Sequence, residues 1–205
     1  MSLNDMDKVY NLFPIPFLKS YLDVSYEIID FANNLDYERL ETQYITHQKY
    51  ILDLPNMLPF RSFITEKVYE YFYNVCGFSK EVVPIITTSW INLHHQGDSN
   101  DTHIHYNSIV SGVWYLSTEE GTGDFMFMRD NKELFGNTFS FPSNTPNNYN
   151  SGYSAFSPKT GDLFIFPSCL KHRVDPNKEQ FNRLSLAFNC LVKGSVESEG
   201  VSVDI

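Results

Sequence analysis

The sequence predicts a mainly β fold, an antiparallel barrel or sandwich with its helices packed on one outer face. Apolar residues recur at every second position from Pro84 onward. These stretches are short, and Gly, Asn, Pro and Asp turns separate them. Helical spacing appears only upstream of them, so helices come first and strands after.

The elements follow in order. Val9–Phe17 is extended, because Pro14 and Pro16 forbid helix there. Residues 21–35 place Leu22, Tyr26, Ile29 and Phe31 at roughly helical spacing. A second helix over 60–75 carries Phe60, Phe63, Ile64, Val68, Tyr71 and Phe72 in one stripe, and Gly77 ends it. These helices read as support and are assigned no chemistry. Predicted strands are 85–95, 102–106, 110–117, 123–128, 153–157, 162–167, 172–175 and 183–192. Between them, 129–152 is crowded with Asn, Ser, Pro and Gly yet carries Phe135, Phe139, Phe141 and Tyr149. A long loop inside a compact domain is usually functional, and these aromatics favour a substrate lid over a solvated tether.

At 205 residues the chain suits one domain. It divides into helical support 1–83, a strand-rich core 84–193 and a tail 194–205. The formal net charge is -10 with no Lys/Arg cluster, which argues against binding a nucleic-acid backbone. Cys76, Cys169 and Cys190 lack metal-ligand spacing and read as reduced, structural thiols. No basic stretch leads into an apolar one, and no run approaches a membrane span. A cytoplasmic protein is expected.

Function is concentrated in the histidines. His47 stands alone in a polar stretch and reads as surface, whereas His94, His95, His103 and His105 gather in one place and His172 lies far downstream. Strand residues two apart share a face, so His103 and His105 can meet one ion. Such a pair is weak evidence by itself. His172 follows the strand and turn Gly161–Ser168, which would deliver it to a barrel mouth. Two ligands from one strand and a third from another make a facial set of three, leaving three positions on an octahedral iron.

The last strand adds a second signal. Leu184, Leu186, Phe188 and Cys190 share one face, while Arg183, Ser185, Ala187 and Asn189 share the other. With the apolar set against the helices, Arg183 faces inward and needs an anionic partner, because an unpaired buried charge is expensive. A dicarboxylate would meet it through charge-assisted hydrogen bonds. A protein carboxylate, or solvent at the strand's end, would serve as well. On the strand before the histidines, Trp90, Asn92 and His94 share a face, and His95 points the other way as a structural residue.

The stretch GDLFIFPSCLKHRVDPNKEQFNRLSLAFN resembles the second half of the 2-oxoglutarate and Fe(II)-dependent oxygenase core. In that core a strand ending in Phe-Pro precedes the distal metal histidine, and an Arg about ten residues later binds the co-substrate's far carboxylate. SWINLHHQGD, HIHYNSIVSGVWYL and NLFPIPF extend the likeness to a group of oxygenases in bacteria and their viruses, strongest from Trp90 to Asn189. The resemblance implies a double-stranded β-helix (jelly roll, cupin-like) with N-terminal supporting helices. It implies Fe(II) held by His103, His105 and His172, and 2-oxoglutarate held by Arg183, Ser185, Asn92 and His94. The expected reaction hydroxylates a small-molecule or peptide substrate with release of succinate and CO2.

One position departs from the superfamily, which uses His-x-Asp or His-x-Glu where this chain has His103-x-His105. Iron then takes three neutral imidazoles, or His105 stands aside and water or halide fills its place, which would open halogenation. A shifted alignment would put His105 first and Asn107 in the carboxylate position. Two other classes compete. A three-histidine cupin-type dioxygenase needs no 2-oxoglutarate and gives Arg183 and Ser185 no role. A jelly-roll binding module retains no iron.

Overall fold

A computed structural model describes residues 8–129, 144–198 and 201–204. The elements are β1 (Leu18–Tyr21), α1 (Tyr26–Asn33), β2 (Tyr37–Arg39), β3 (Tyr44–Thr46), α2 (Leu58–Tyr69), β4 (Val82–His94), β5 (Asn100–His103), β6 (Val110–Ser117), β7 (Phe125–Met128), β8 (Tyr153–Phe156), β9 (Asp162–Pro167), β10 (His172–Val174), β11 (Arg183–Ser198) and β12 (Val201–Asp204). The large sheet runs β1-β9-β6-β11-β4-β3-β2, with β12 added to β11, and the small sheet runs β5-β10-β7-β8. All these pairings are antiparallel. Two facing sheets with this crossing connectivity form the expected double-stranded β-helix.

The predicted alternation on β11 holds. Leu184, Leu186, Phe188 and Cys190 are buried in one cluster with α1 and α2 residues such as Ile28, Ile64 and Val68. A second cluster, largely aromatic, lies between the sheets and includes Tyr115, Phe125, Phe127, Phe164 and Phe166. Phe17, from the extended opening segment, reaches this second cluster, 5.1 Å from Phe127 and 4.6 Å from Phe156 between ring centroids. β6 is buried on both faces, since it separates the two clusters. Its Gly112 cannot become Ala without displacement, because a Cβ there would lie 2.2 Å from the Phe188 ring and 2.7 Å from the Phe164 carbonyl oxygen.

The N-terminal third differs from the prediction. Helix was expected over 21–35, but α1 begins at Tyr26 and the chain before it forms β1, paired with Asp162–Ile165. The edge of β9 was available to satisfy that backbone, and edge pairing outcompetes a weak helical pattern. The second helix starts at Leu58, with Pro59 in its first turn, and closes through a π-helical turn over Glu70–Val75. Gly77 then takes φ 73°, the left-handed stop expected of it. The support segment also contributes the β2–β3 hairpin, which extends the large sheet beyond β4. No helix among the described residues is long and apolar enough to cross a membrane. Of the expected lid, 130–143 lies outside the described residues, while Tyr149 donates from its hydroxyl to Asn11 Oδ1 at 2.8 Å.

Candidate active site

Strand registry brings the histidines together. β5 and β10 are neighbours, and His103 is the direct partner of His172. The strand expected over 102–106 ends at His103, so His105 sits just beyond it rather than on it. Its backbone N–H instead donates to the Ser168 carbonyl at 3.0 Å, which holds the turn against the end of β9. One ligand-capable nitrogen from each of His103, His105 and His172 lies within 4.8 Å of the others. Asn107, the other candidate for the carboxylate position, is exposed.

The rings are oriented for coordination. His103 Nδ1 is 2.6 Å from the Asp101 carbonyl oxygen, and His172 Nδ1 is 2.8 Å from that of Leu170. Each carbonyl can only accept, so the proton sits on Nδ1 and Nε2 carries a bare lone pair. His105 Nε2 lies 3.2 Å from His172 Nε2. Two imidazole nitrogens bound side by side on one ion at about 2.1 Å would stand roughly 3 Å apart, so the pair fits a shared metal. Burial, helped by the neighbouring His103, lowers the His105 pKa to about 4. Burial is also the main cause that takes His172 down to about 3, and the imidazoles of His103 and His105 add to it. Both rings are therefore neutral near neutral pH, as ligation requires.

These rings open onto a cavity of about 250 Å³ between the sheets. Trp90, Asn92 and His94 all line it from β4, as alternation predicted, and Ser185 and Ala187 line it from β11. Trp90 stands at the histidine end, 5.9 Å from the His105 ring, and donates from Nε1 to Asn92 Oδ1 at 3.0 Å. His95 turns away and packs against Tyr44 in a tilted ring contact, 4.9 Å between centroids.

Arg183 is 1% exposed and has no carboxylate partner among the described residues. Its Nη1 donates to the carbonyls of Thr122 and Gly123 at 3.0 and 3.1 Å, and its Nη2 meets His94 Nδ1 at 2.8 Å. Gly123 makes the approach possible, with φ 101° and no room for a Cβ against the Asp175 carbonyl oxygen 2.2 Å away. His94 Nε2 in turn reaches Asn100 Oδ1 at 2.7 Å. Arg183 can only donate, so His94 accepts on Nδ1 and donates from Nε2, and the relay runs Arg183 to His94 to Asn100. Burial first, then the Arg183 charge, lowers the His94 pKa to about 3. Arg183 Nε is buried without a partner, and the side chain does not line the cavity. Sequence reasoning did not find Asn100, or Gln43 and Ile45 from β3 and the turn before it, which also line the cavity. Neither the three-residue strand β3 nor the lone Asn gives a periodic signal.

A jelly roll whose facing sheets gather three imidazoles beside a cavity fits the class of non-haem metal oxygenases. Residues 88–189, which hold every site residue except those from β3 and its preceding turn, match the family model described as putative 2OG-Fe(II) oxygenase. The chain belongs to the 2-oxoglutarate and Fe(II)-dependent oxygenase superfamily, and its cofactors are Fe(II) and 2-oxoglutarate. No curated protein matches it. Among solved structures, the non-haem α-ketoglutarate-dependent epimerase SnoN from nogalamycin biosynthesis is similar at TM-score 0.64 and 11% identity, covering 91% of this chain and 83% of SnoN. HygX from Streptomyces hygroscopicus, with nickel and 2-oxoglutarate bound, has TM-score 0.57 and 12% identity over 86% of this chain and 82% of its own. A Pseudomonas putida prolyl-4-hydroxylase has TM-score 0.53 and 15% identity, covering 86% of this chain and 92% of that one. At these identities the likeness establishes the fold.

Proposed function

We propose that this chain is a cytoplasmic, single-domain hydroxylase of a small-molecule or peptide substrate. Fe(II) is held by His103, His105 and His172, and 2-oxoglutarate by Arg183, Ser185, Asn92 and His94. The observation that carries the metal assignment is the pair of backbone carbonyls at Asp101 and Leu170, which leave Nε2 of His103 and His172 bare beside His105. An imidazole used only for packing has no need of a fixed tautomer aimed at two other rings.

When bound, iron and 2-oxoglutarate supply the oxidising chemistry, in which dioxygen and the co-substrate yield succinate, CO2 and an oxidised substrate. The residues of this chain hold and aim the reactants. Three neutral imidazoles leave the ion its full charge, so the co-substrate's carboxylate meets a more positive centre than a His-x-Asp site would offer. At the other end the Arg183 charge is buried without an anion, and Ser185 and Asn92 offer polar atoms on the wall between. Its unpartnered Nε leaves one donor for a carboxylate. A spare donor on a buried charge supports 2-oxoglutarate use over the three-histidine cupin reading, which leaves Arg183 only its structural contacts. The unpaired thiols of Cys76, Cys169 and Cys190 support a reducing compartment.

Succinate release tests the proposal. The chain loaded anaerobically with Fe(II), then given 2-oxoglutarate and air, should form succinate, and N-oxalylglycine with Mn(II) should raise its Tm. Absence of both would overturn it.

A further inference from the structure

The support segment places one polar group in the cavity that the metal and co-substrate assignments do not use. Gln43 lies between β2 and β3, in a turn closed by Leu40 N–H donating to the Gln43 carbonyl at 2.8 Å. β3 then pairs Tyr44 with Leu93 and Ile45 with Asn92. Alternation turns Tyr44 outward, where His95 packs against it and the Arg39 guanidinium sits 4.7 Å above its ring. Gln43 and Ile45 are left on the cavity side. They lie across β4 from β11, so the wall that carries Arg183 and Ser185 is two strands away.

Three buried side-chain atoms among the described residues lack a hydrogen-bond partner, namely Gln43 Oε1, Arg173 Nε and Arg183 Nε. Of these residues only Gln43 lines the cavity. A buried amide oxygen without a donor is costly, and at a ligand pocket the missing partner is commonly the ligand. The side chains lining the cavity, among the described residues, include no Asp, Glu, Lys or Arg. A charged group beside Gln43 would find no counter-ion among these side chains, the proposed metal and Arg183 being engaged by the co-substrate, whereas a neutral donor would find the amide. Ile45 and Trp90 give an apolar body something to lie against.

We infer that Gln43 is a specificity-determining residue, its amide oxygen accepting from an N–H or O–H of an uncharged polar substrate whose apolar part packs on Ile45 and Trp90. This rests on the oxygenase reading above, because the substrate shares the cavity with the co-substrate. Gln43 acts on what is oxidised and has no part in holding iron.

The test uses the full chain loaded with Mn(II) and N-oxalylglycine. The probes are small amides and alcohols, each paired with the carboxylate and the amine of the same carbon skeleton. Neutral members should raise Tm and their charged counterparts should not. Gln43→Leu and Gln43→Met should weaken neutral binding at least about tenfold, since a site built around one hydrogen bond discriminates strongly on it. The same variants should match or exceed the wild type in ligand-free Tm, because they remove an unpaired buried acceptor. Preferential binding of charged members, no binding of neutral ones, unchanged neutral binding in both variants, or a lowered ligand-free Tm in both would each overturn the inference. Succinate release by the wild type and its Tm rise with Mn(II) and N-oxalylglycine separate the two proposals. If either is present while the panel fails, only the role of Gln43 falls; if both are absent, the oxygenase reading falls and takes this inference with it.

Discussion

The metal-facing end of the site and the Arg183 end behind the cavity wall are built on opposite principles. At one end, backbone carbonyls fix the Nδ1 hydrogens of His103 and His172, and His105 Nε2 meets His172 Nε2 at 3.2 Å, so the three rings have few ties beyond one another. At the other, Arg183, His94 and Asn100 form a donor relay tied into the backbone at Thr122 and Gly123. The first end therefore groups three nitrogens as a cation would require. The second is a rigid scaffold in which Arg183 keeps spare donors, among them the unpartnered Nε. Removing a residue should cost ligand binding at the first end, and both ligand binding and stability at the second.

The largest effect tests the first half of that contrast. His172→Ala removes a buried imidazole, the proposed ligand, whose Nδ1 is anchored at Leu170. Loss of residues that merely orient ligands costs about 10- to 100-fold in metal affinity, so loss of the ligand should exceed about 100-fold. Mn(II) or Fe(II) titration reads this, and succinate release should fall in parallel. Ligand-free Tm should change little. A large Tm loss with metal affinity retained would make His172 a structural residue and erase the difference between the ends.

Arg183→Ala should behave otherwise. It leaves the carbonyls of Thr122 and Gly123 and the Nδ1 of His94 without their donor, so stability should fall by about 2 kcal/mol or more. The 2-oxoglutarate KM should rise about 100-fold, the scale expected when a buried charge partner is lost. Metal affinity should stay within a few-fold of the wild type. Urea denaturation, succinate kinetics and metal titration on the same preparation separate the three. Equal losses of metal and co-substrate binding would show that Arg183 supports the whole barrel.

His105 offers a finer probe, because it sits past the end of β5 and is held there by its backbone. His105→Ala should weaken metal binding about tenfold, less than His172→Ala, since the remaining pair is still anchored. His105→Asp should restore it and shift preference toward hard, oxygen-loving ions. Affinity that stays unchanged in the Ala variant would mean that position 105 does not ligate, which returns halide or water to consideration.

Much of this contrast was legible in the sequence, and the exceptions have physical causes. Period-two spacing located β4, β6, β9 and β11, and their alternation correctly put Asn92, His94 and Ser185 on the cavity side. It could not locate β2 or β3, because three residues are too few to display a period and their pairing with β4 is a tertiary choice. Gln43 went unseen for that reason. His103 and His105 were taken to share a strand face, yet their meeting depends on a turn held by Ser168, a residue 63 positions after His105. The Arg183 to His94 contact joins register partners on β11 and β4. Spacing predicted that Arg183 points inward, but only strand registry reveals the imidazole beside it.

The smallest effect is the acid response, and it bears on both ends together. His94 and His172 have pKa values lowered to about 3 and His105 to about 4, burial being the main cause for each. An unfolded His titrates near 6.5. Between these limits the unfolded chain binds protons that the folded chain refuses, so stability rises with pH through this window and falls on acidification below about 6.5. The loss is on the order of 1 kcal/mol per group for each pH unit. Urea midpoints of chelator-treated protein at pH 7.5, 6.5 and 5.5 should fall modestly over the first step and about three times as much over the second. His94→Gln removes one of the three groups, so its midpoint should fall less steeply. If its slope equals the wild type's, His94 does not stay neutral in the fold. The relay would then need Asn100 to accept from a charged imidazole, leaving Arg183 Nη2 without its acceptor.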